Sequence, residues 1–462
     1  MTPDVISTIV RNNLCIGCGV CAAICPESLL KIQFNRFGEY NPTRSKECSK
    51  DCGLCYKVCP FADENDNEDT IGRNLYERIE GISHRLETGY YLNSYVGYAP
   101  LTRERGASGG MATWLLSTLL KKGIVDYVIA VVPDDNPDQL FRFAILDDTK
   151  SVLSSAGSAY YPVELSLVLQ EIQNKSGRCA IIGLPCFIKA VRLAAQKNRN
   201  FREKIPVTLG IVCGQLKNRH FTGYIAERAG VRNDELKKVH YRGKSTDTPA
   251  SNYFYTFTRK NGTTERIFWE DSISEIWMNR WFSLNACSYC DDIFAECADV
   301  TFMDAWLPEY SKESQGTNIV VVRSQMVQDV IDQGINDDEL HLDPIFIERV
   351  LQSQKGVIDI KRRNLAYQLY LGHQQGFTMP KKRVAAAKIR NLFLRQRIFL
   401  RNQMQRVSRE MWNPQEPDIQ RFNATMRPYM RRLMITEQLH AKLLVFPRMI
   451  IQFNKKKDLG AS

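Results

Sequence analysis

A chain of 462 residues, 44% apolar and 24% charged, is long enough for about three domains and a sizeable core, which excludes a disordered or fibrous protein. Its net charge of +11 is uneven: residues 361–462 hold 22 Lys and Arg against 5 Asp and Glu, a net +17, which leaves residues 1–360 at −6. Residues 1–14 lack a basic head followed by an apolar run, and no stretch has ~18 uninterrupted apolar residues. The 14 cysteines are therefore expected in a reducing cytoplasm, ligating metal rather than forming disulfides.

The chain opens on two cysteine runs. Cys15, Cys18, Cys21 and Cys25 are followed by Pro26; Cys48, Cys52, Cys55 and Cys59 are followed by Pro60. Soft thiolates select iron–sulfur clusters or zinc. Three closely spaced thiolates, a fourth Cys and a Pro form the bacterial two-cluster ferredoxin pattern, in which each fourth Cys ligates the other cluster. Cys15, Cys18, Cys21 and Cys59 are thus expected on one 4Fe-4S cluster, and Cys48, Cys52, Cys55 and Cys25 on a second, in an α+β ferredoxin-like domain over 1–62. Zinc knuckles use separated pairs instead. Residues 62–70 are acidic and polar and read as a solvated linker, or as a docking patch for a basic partner.

A mixed α/β domain is expected over 90–350, where short β-rich runs alternate with helical patterns. Strands are predicted at 125–132, 178–182, 207–212, 299–302 and 318–322. Helices are predicted at 111–120, 163–173 and 187–196. Arg105, Gly106, Ala107, Ser108, Gly109 and Gly110 lead into the first helix, a turn that lets backbone N–H groups approach a phosphate or simply caps the helix tightly. Cys186 and Cys213 each follow a predicted strand, where open α/β sheets gather function. With Cys287 and Cys290 they are enough for a third 4Fe-4S cluster; the alternative is a redox dithiol at Cys287 and Cys290. Cys179 and Cys297 read as buried small hydrophobes. The six histidines are scattered, and no catalytic constellation stands out; Asp304, His240 and Tyr241 are candidate proton donors.

Residues 361–462 alternate basic with apolar residues and carry Pro414, Pro417, Pro428 and Pro447. They read as a basic helical extension of three or four short amphipathic helices. It is expected to form a structural cap or dock a partner, or to touch an anionic membrane peripherally. No nucleic-acid-reading module is visible.

The segments RGASGG (105–110), GLPCFIKAVR (183–192), GIVCG (210–214), YRGK (241–244), CSYCDD (287–292) and ADVTFMDAW (298–306), in this order behind the cysteine-rich head, resemble the beta subunit family of coenzyme F420 hydrogenases and dehydrogenases. That family is itself similar to 7-hydroxymethyl chlorophyll a reductase and the ferredoxin-dependent divinyl reductases. The resemblance covers about residues 8–345 and implies an FAD-binding α/β domain that also holds a 4Fe-4S cluster. It implies cluster ligation by Cys186, Cys213, Cys287 and Cys290. FAD contacts are implied from Arg105, Gly106, Ser108, Gly109, Gly110, Arg242, Asp304 and Asn318, with Arg242 facing an anionic group. The implied function is electron transfer between clusters and FAD, and on to or from a hydride carrier such as F420, beside a redox partner protein (a ferredoxin or a hydrogenase or dehydrogenase subunit). Alternatives are ferredoxin-dependent reduction of a small organic substrate, or a non-catalytic electron-transfer subunit. Ala107 stands where family members often have Ser, and Met303 where they often have Gly, which leaves the hydride partner open.

Overall fold

The computed structural model describes residues 3–48, 52–136, 139–377 and 379–458, with 444–458 as backbone only. In the head, each cysteine run closes a short helical turn, Val20–Ala23 and Leu54–Lys57. Each turn is entered through a glycine in the left-handed region, Gly19 at φ 79° and Gly53 at φ 57°. A side chain at either place would be strained, which explains the Gly just before each turn. Between the two runs, β1 (Leu30–Phe34) and β2 (Tyr40–Arg44) form an antiparallel hairpin with Leu30 opposite Arg44.

A small hairpin of β3 (Ser83–Arg85) and β4 (Gly89–Tyr91) leads into the core. There β5 (Asn93–Tyr98), β6 (Tyr127–Pro133), β7 (Phe141–Leu146), β8 (Cys179–Gly183) and β9 (Val207–Ile211) are followed, after an excursion, by β13 (Val300–Asp304), β14 (Asn318–Val322) and β15 (His341–Pro344). Together they form one eight-stranded sheet of order β15-β5-β14-β13-β9-β8-β6-β7. The central four, β13, β9, β8 and β6, run parallel; the outer pairings are antiparallel. Parallel strands are covered on both faces and so read as near-continuous apolar runs, and the predicted strands coincide with β6, β8, β9, β13 and β14. Helices Met111–Lys121, Ser166–Asn174 and Pro185–Lys197 stand where the periodicity placed them. The excursion holds a three-stranded antiparallel sheet of β10 (Leu236–Gly243), β11 (Phe254–Arg259) and β12 (Thr264–Phe268), which the sequence reading did not anticipate.

Two expectations are corrected. The acidic stretch is not a solvated linker at its far end: Glu68 opens the helix Glu68–Tyr76 and is buried. It pairs with Lys189 at 3.1 Å and Arg383 at 3.5 Å, while Asp69 pairs with Arg383 at 2.9 Å and Asp63 accepts from the Lys381 backbone N–H. The basic partners of this acidic patch are Lys189 of the α/β body and the chain's own C-terminal extension. That extension is also less broken than its prolines implied. It runs through Leu365–Gln374, Leu392–Met411 and a single helix Ile419–Asp458 that continues past Pro428 and Pro447. Proline inside a helix forfeits one backbone hydrogen bond and crowds the preceding turn. Pro428 is exposed, whereas Phe422, Met426 and Leu433 are buried on the opposite side and hold the helix to the core.

The head is not a separate lobe. Leu165 N–H donates to Cys18 O at 2.9 Å, Arg219 N–H to Gly38 O at 2.9 Å, and the Gln170 and Gln173 amides to the carbonyls of Ala22 and Ala23. Val20, Ile24 and Val58 share one apolar core with Leu165, Leu169 and Phe187. No helix among the described residues is long and apolar enough to cross a membrane.

Candidate redox centres

Cys15, Cys18, Cys21 and Cys59 line one cavity with Val5, Ile16, Pro42 and Val58, the grouping expected if the fourth Cys of each run crosses over. Cys52 and Cys55 face each other, and Cys55 also faces Cys21, so the second thiol set adjoins the first. Cys25 is half-buried. Cys48 is exposed, beside residues 49–51, which lie outside those described. Burial pushes the thiols of Cys18 and Cys21 up, and neighbouring thiol charge pushes the same way. Ligation relieves both effects by replacing the protons with metal. Among the described residues no three Cys, His, Asp or Glu side chains close on a single ion; around a four-iron cluster the four thiolates stand apart.

A second gathering of thiols lies at the carboxyl ends of the parallel strands. Cys186 opens the helix that follows β8, Cys213 lies two residues past β9, and Cys287 and Cys290 lie in and just after the tight turn Asn285–Tyr289. The Cys186 thiol is pushed well up by burial and then by the charges of Cys290, Cys213, Cys287 and, from the head, Cys18. The four positions therefore meet, with the first head site beside them. The Leu216 N–H points at Cys287 Sγ, 3.2 Å away. Cys179 and Cys297 stand elsewhere: Cys179 opens β8, and Cys297 is buried beside Glu68 and Asp292.

Three buried basic side chains, none anticipated from the sequence, adjoin this second gathering. Lys361 faces Cys290, Cys287 and Cys213, and its Nζ lies 3.5 Å from Cys287 O. Arg280 faces Cys287 and donates to Ser288 Oγ at 3.1 Å, with its Nε unpartnered. Lys217 also adjoins Cys287 and donates to Trp281 O at 2.7 Å, but it lies over the Phe221 and Trp277 rings, and burial, then the Arg280 charge, pulls its pKa well down. Among the described contacts, none of the three pairs with a carboxylate. Burying an unpaired cation is costly, so the surroundings fit a group of net negative charge on the four thiols. Asp291 and Asp292 adjoin Cys290 but turn away: Asp291 accepts from the Arg383 N–H at 2.9 Å, and Asp292 from the Glu296 N–H at 3.3 Å.

The glycine-rich loop sits at the same sheet edge. Arg242, buried and at φ 60°, donates to both Asp304 oxygens at 2.9 and 3.0 Å and to Ala107 O at 3.2 Å. Lys244 donates to Ser108 O at 2.9 Å. Burial, then the charges of Arg103 and Arg242, pull its pKa down to about 8. Ser108 Oγ donates to Thr317 O at 2.9 Å, and Asn318 joins the Met111 N–H to Met303 O. Gly106, Gly109 and Gly110 allow tight backbone packing here: a Cβ on Gly109 would lie 2.7 Å from Gly97 O. Seven of the eight expected flavin-contact residues thus form one pinned assembly; Arg105 is exposed beside it. Arg242, expected to meet an external anion, already has an internal one in Asp304. Of the candidate proton donors, Asp304 is held by Arg242, Tyr241 hydroxyl bonds Thr222 at 2.6 Å, and burial lowers the His240 pKa. Ile211, at the end of β9, and Trp306, two residues past β13, are 41% and 36% exposed, and Trp306 lies beside the buried Arg242 guanidinium. A wider cleft of about 640 Å³ over β6 and β7, lined by Arg142, Asp148 and Lys150, lies away from the thiols and the loop.

Comparison with known proteins follows the same division. Residues 94–170 match the N-terminal family profile, and residues 176–346 the C-terminal family profile, of the "Coenzyme F420 hydrogenase/dehydrogenase, beta subunit"; residues 8–75 match a "4Fe-4S dicluster domain". The chain is 20% identical over 371 residues to the F subunit of the F(420)H(2) dehydrogenase of Methanosarcina mazei, covering 79% of this chain and 94% of that one. It is 27% identical over 190 residues to the coenzyme F420-dependent sulfite reductase of Methanocaldococcus jannaschii, covering 40% of this chain and 26% of that protein. A chain of the F420-reducing [NiFe] hydrogenase complex from Methanosarcina barkeri superposes with a TM-score of 0.50 at 17% identity, covering 64% of this chain and 99% of that chain.

Proposed function

The chain belongs to the coenzyme F420 hydrogenase/dehydrogenase beta subunit family, with a 4Fe-4S dicluster head, and from that premise we propose an iron–sulfur flavoprotein that exchanges electrons between its clusters and a hydride carrier of the F420 type through FAD. One observation carries the reading. Four core cysteines meet at the carboxyl edge of the parallel strands, Cys186 faces Cys18 of the head, and the pinned glycine-rich loop shares that edge. Bound here, clusters pass single electrons and FAD joins them to two-electron hydride chemistry. The protein's part is placement. Cys186, Cys213, Cys287 and Cys290 hold the third cluster beside the first head site. Arg242, through Asp304 and Ala107, fixes the loop against β13, and the loop beside it would receive the anionic part of FAD. Ile211 and Trp306 offer apolar surface to its ring. The beta-subunit kinship also supports a partner subunit as the source or sink of electrons. We read the basic extension first as a cap on the body.

Anaerobically purified full-length protein is expected to carry about twelve iron atoms and one FAD. Its flavin absorbance should bleach with reduced F420, NAD(P)H or reduced ferredoxin, tested in parallel. Bleaching by F420H2 identifies the carrier. Bleaching only by ferredoxin moves the reading to a ferredoxin-dependent reductase, and iron without flavin leaves an electron-transfer subunit.

A further inference from the structure

The charges around the core cysteines differ in kind from those around the head cysteines. Among the described residues of the head, the acids Glu39 and Asp4 near the thiols are each paired with an arginine. Glu39, facing Cys15, is held bidentately by Arg409, at 2.6 and 2.9 Å. Asp4, facing Cys55, has Arg44 at 3.8 Å. Glu164, facing Cys18, accepts the Ser166 N–H. Among the described cations there, Lys189 faces Cys59 and is paired with Glu68, and Lys57, which donates to Cys52 O at 3.3 Å, is exposed to solvent. At the core site the balance is reversed. Lys361 and Arg280 are buried against the thiols with only carbonyl and hydroxyl partners, and the nearby acids Asp291 and Asp292 are engaged with the backbone N–H groups of Arg383 and Glu296. A fixed positive charge in a low-dielectric interior favours the more negative, reduced form of a redox centre. The N–H of Leu216 on Cys287 Sγ acts in the same direction.

We propose that Lys361 and Arg280 form a cationic cage that poises the core cluster at a higher potential than either head cluster, so that electrons entering the head run downhill to the core. Lys361 belongs to the segment after residue 346, where the family match ends, so this chain's C-terminal extension contributes directly to the redox site. Lys361 acts as a positioning residue for charge, not as a ligand. The proposal rests on the third cluster of the function proposed above.

The test is an EPR-monitored redox titration of full-length protein, with iron counted on each sample. Comparing Lys361→Met with Lys361→Arg separates charge from packing, and Arg280→Met, on a different element, is read the same way should Lys361→Met not fold. The expected result has the core cluster reduced first in the unaltered protein. Its midpoint shifts to lower potential in Lys361→Met and Arg280→Met, stays close to the original in Lys361→Arg, and the head signals do not move. A full iron complement with an unmoved core midpoint, or with the core cluster reduced last in the unaltered protein, overturns the cage. About eight iron atoms in the unaltered full-length chain overturns the third cluster and the cage together.

Discussion

Arg242 is the residue on which the glycine-rich loop turns. Its guanidinium spans the ends of β10 and β13 and reaches the loop at Ala107, so one planar fork sets the spacing of three chain segments. Arg242→Gln removes the fork and leaves Asp304 unpaired. With the Asp304 side chain 22% exposed, we expect a stability loss of about 2 kcal/mol, below that of a fully buried pair. FAD retention on gel filtration should fall about tenfold, or about 1.4 kcal/mol, with iron content unchanged. Unaltered flavin content would remove Arg242 from the flavin site. A change at Gly110 would be a poorer probe. It sits at φ 78°, and a Cβ would lie 2.5 Å from the Thr102 carbonyl carbon, so any side chain disrupts the loop whatever binds there. The sequence marks these residues by type alone. It cannot show that Arg242 spends its charge on Asp304, because the two are 62 positions apart.

Among the elements, those legible from the sequence are the ones whose surroundings are uniform. The central strands are apolar along their length because both faces are covered, and the antiparallel β14 beside them is likewise buried at all five positions. The β10–β12 sheet escapes the same reading because its strands are partly exposed and β10 pairs with β11 through two register shifts. The acidic stretch before the helix Glu68–Tyr76 is misread for a different reason: its partners, Lys189 and Arg383, are remote in sequence. Arg383 binds Glu68, Asp69, Asp291 and Glu296 at once, so Arg383→Met leaves several buried carboxylates uncompensated and should destabilise by about 3–5 kcal/mol. The pH dependence has a definite sign. Burial alone would raise the Glu68 carboxyl, but Lys189, Arg383 and Lys382 together hold it below the usual range. Its contribution is therefore complete above the ordinary carboxylate pKa of about 4.3 and is lost as pH falls below that. Asp292 works the other way: burial, then Glu296 and Glu68, push its carboxyl up to about 8, so stability falls as pH rises from about 4 toward 8. Thermal melts from pH 5 to 3 should show a steeper loss in the unaltered chain than in Arg383→Met. Parallel acid limbs would mean that the Glu68 network contributes nothing to stability.

At the scale of the whole molecule, the charge asymmetry separates a basic extension from an acidic body, yet the two form one structure. The division misleads because charge counting treats every Lys and Arg as solvated. Here Lys361, Arg383 and Arg409 are turned inward, to the core thiols, the acidic patch and Glu39. Gln405 donates to the carbonyls of Ser283 and Leu284, just before Cys287, and Ser408 Oγ accepts the Phe282 N–H. Leu400, Met404, Trp412, Phe422, Met426 and Leu433 are buried in the body's core. Each such side chain contributes about 2 kcal/mol, and together they are comparable to the ~5–15 kcal/mol stability of a whole domain. A chain cut at residue 360 is therefore expected to melt far below full length and to lose the core iron first, since Lys361 and the support behind Cys287 go with it. Any test of membrane contact needs a different cut. Ending the chain after Leu443 leaves every contact named here in place, and that protein should melt with the full-length chain and keep its iron. If the 1–360 chain instead keeps the full melting temperature and iron content, the extension is an independent appendage, and the part assigned to Lys361 falls with it.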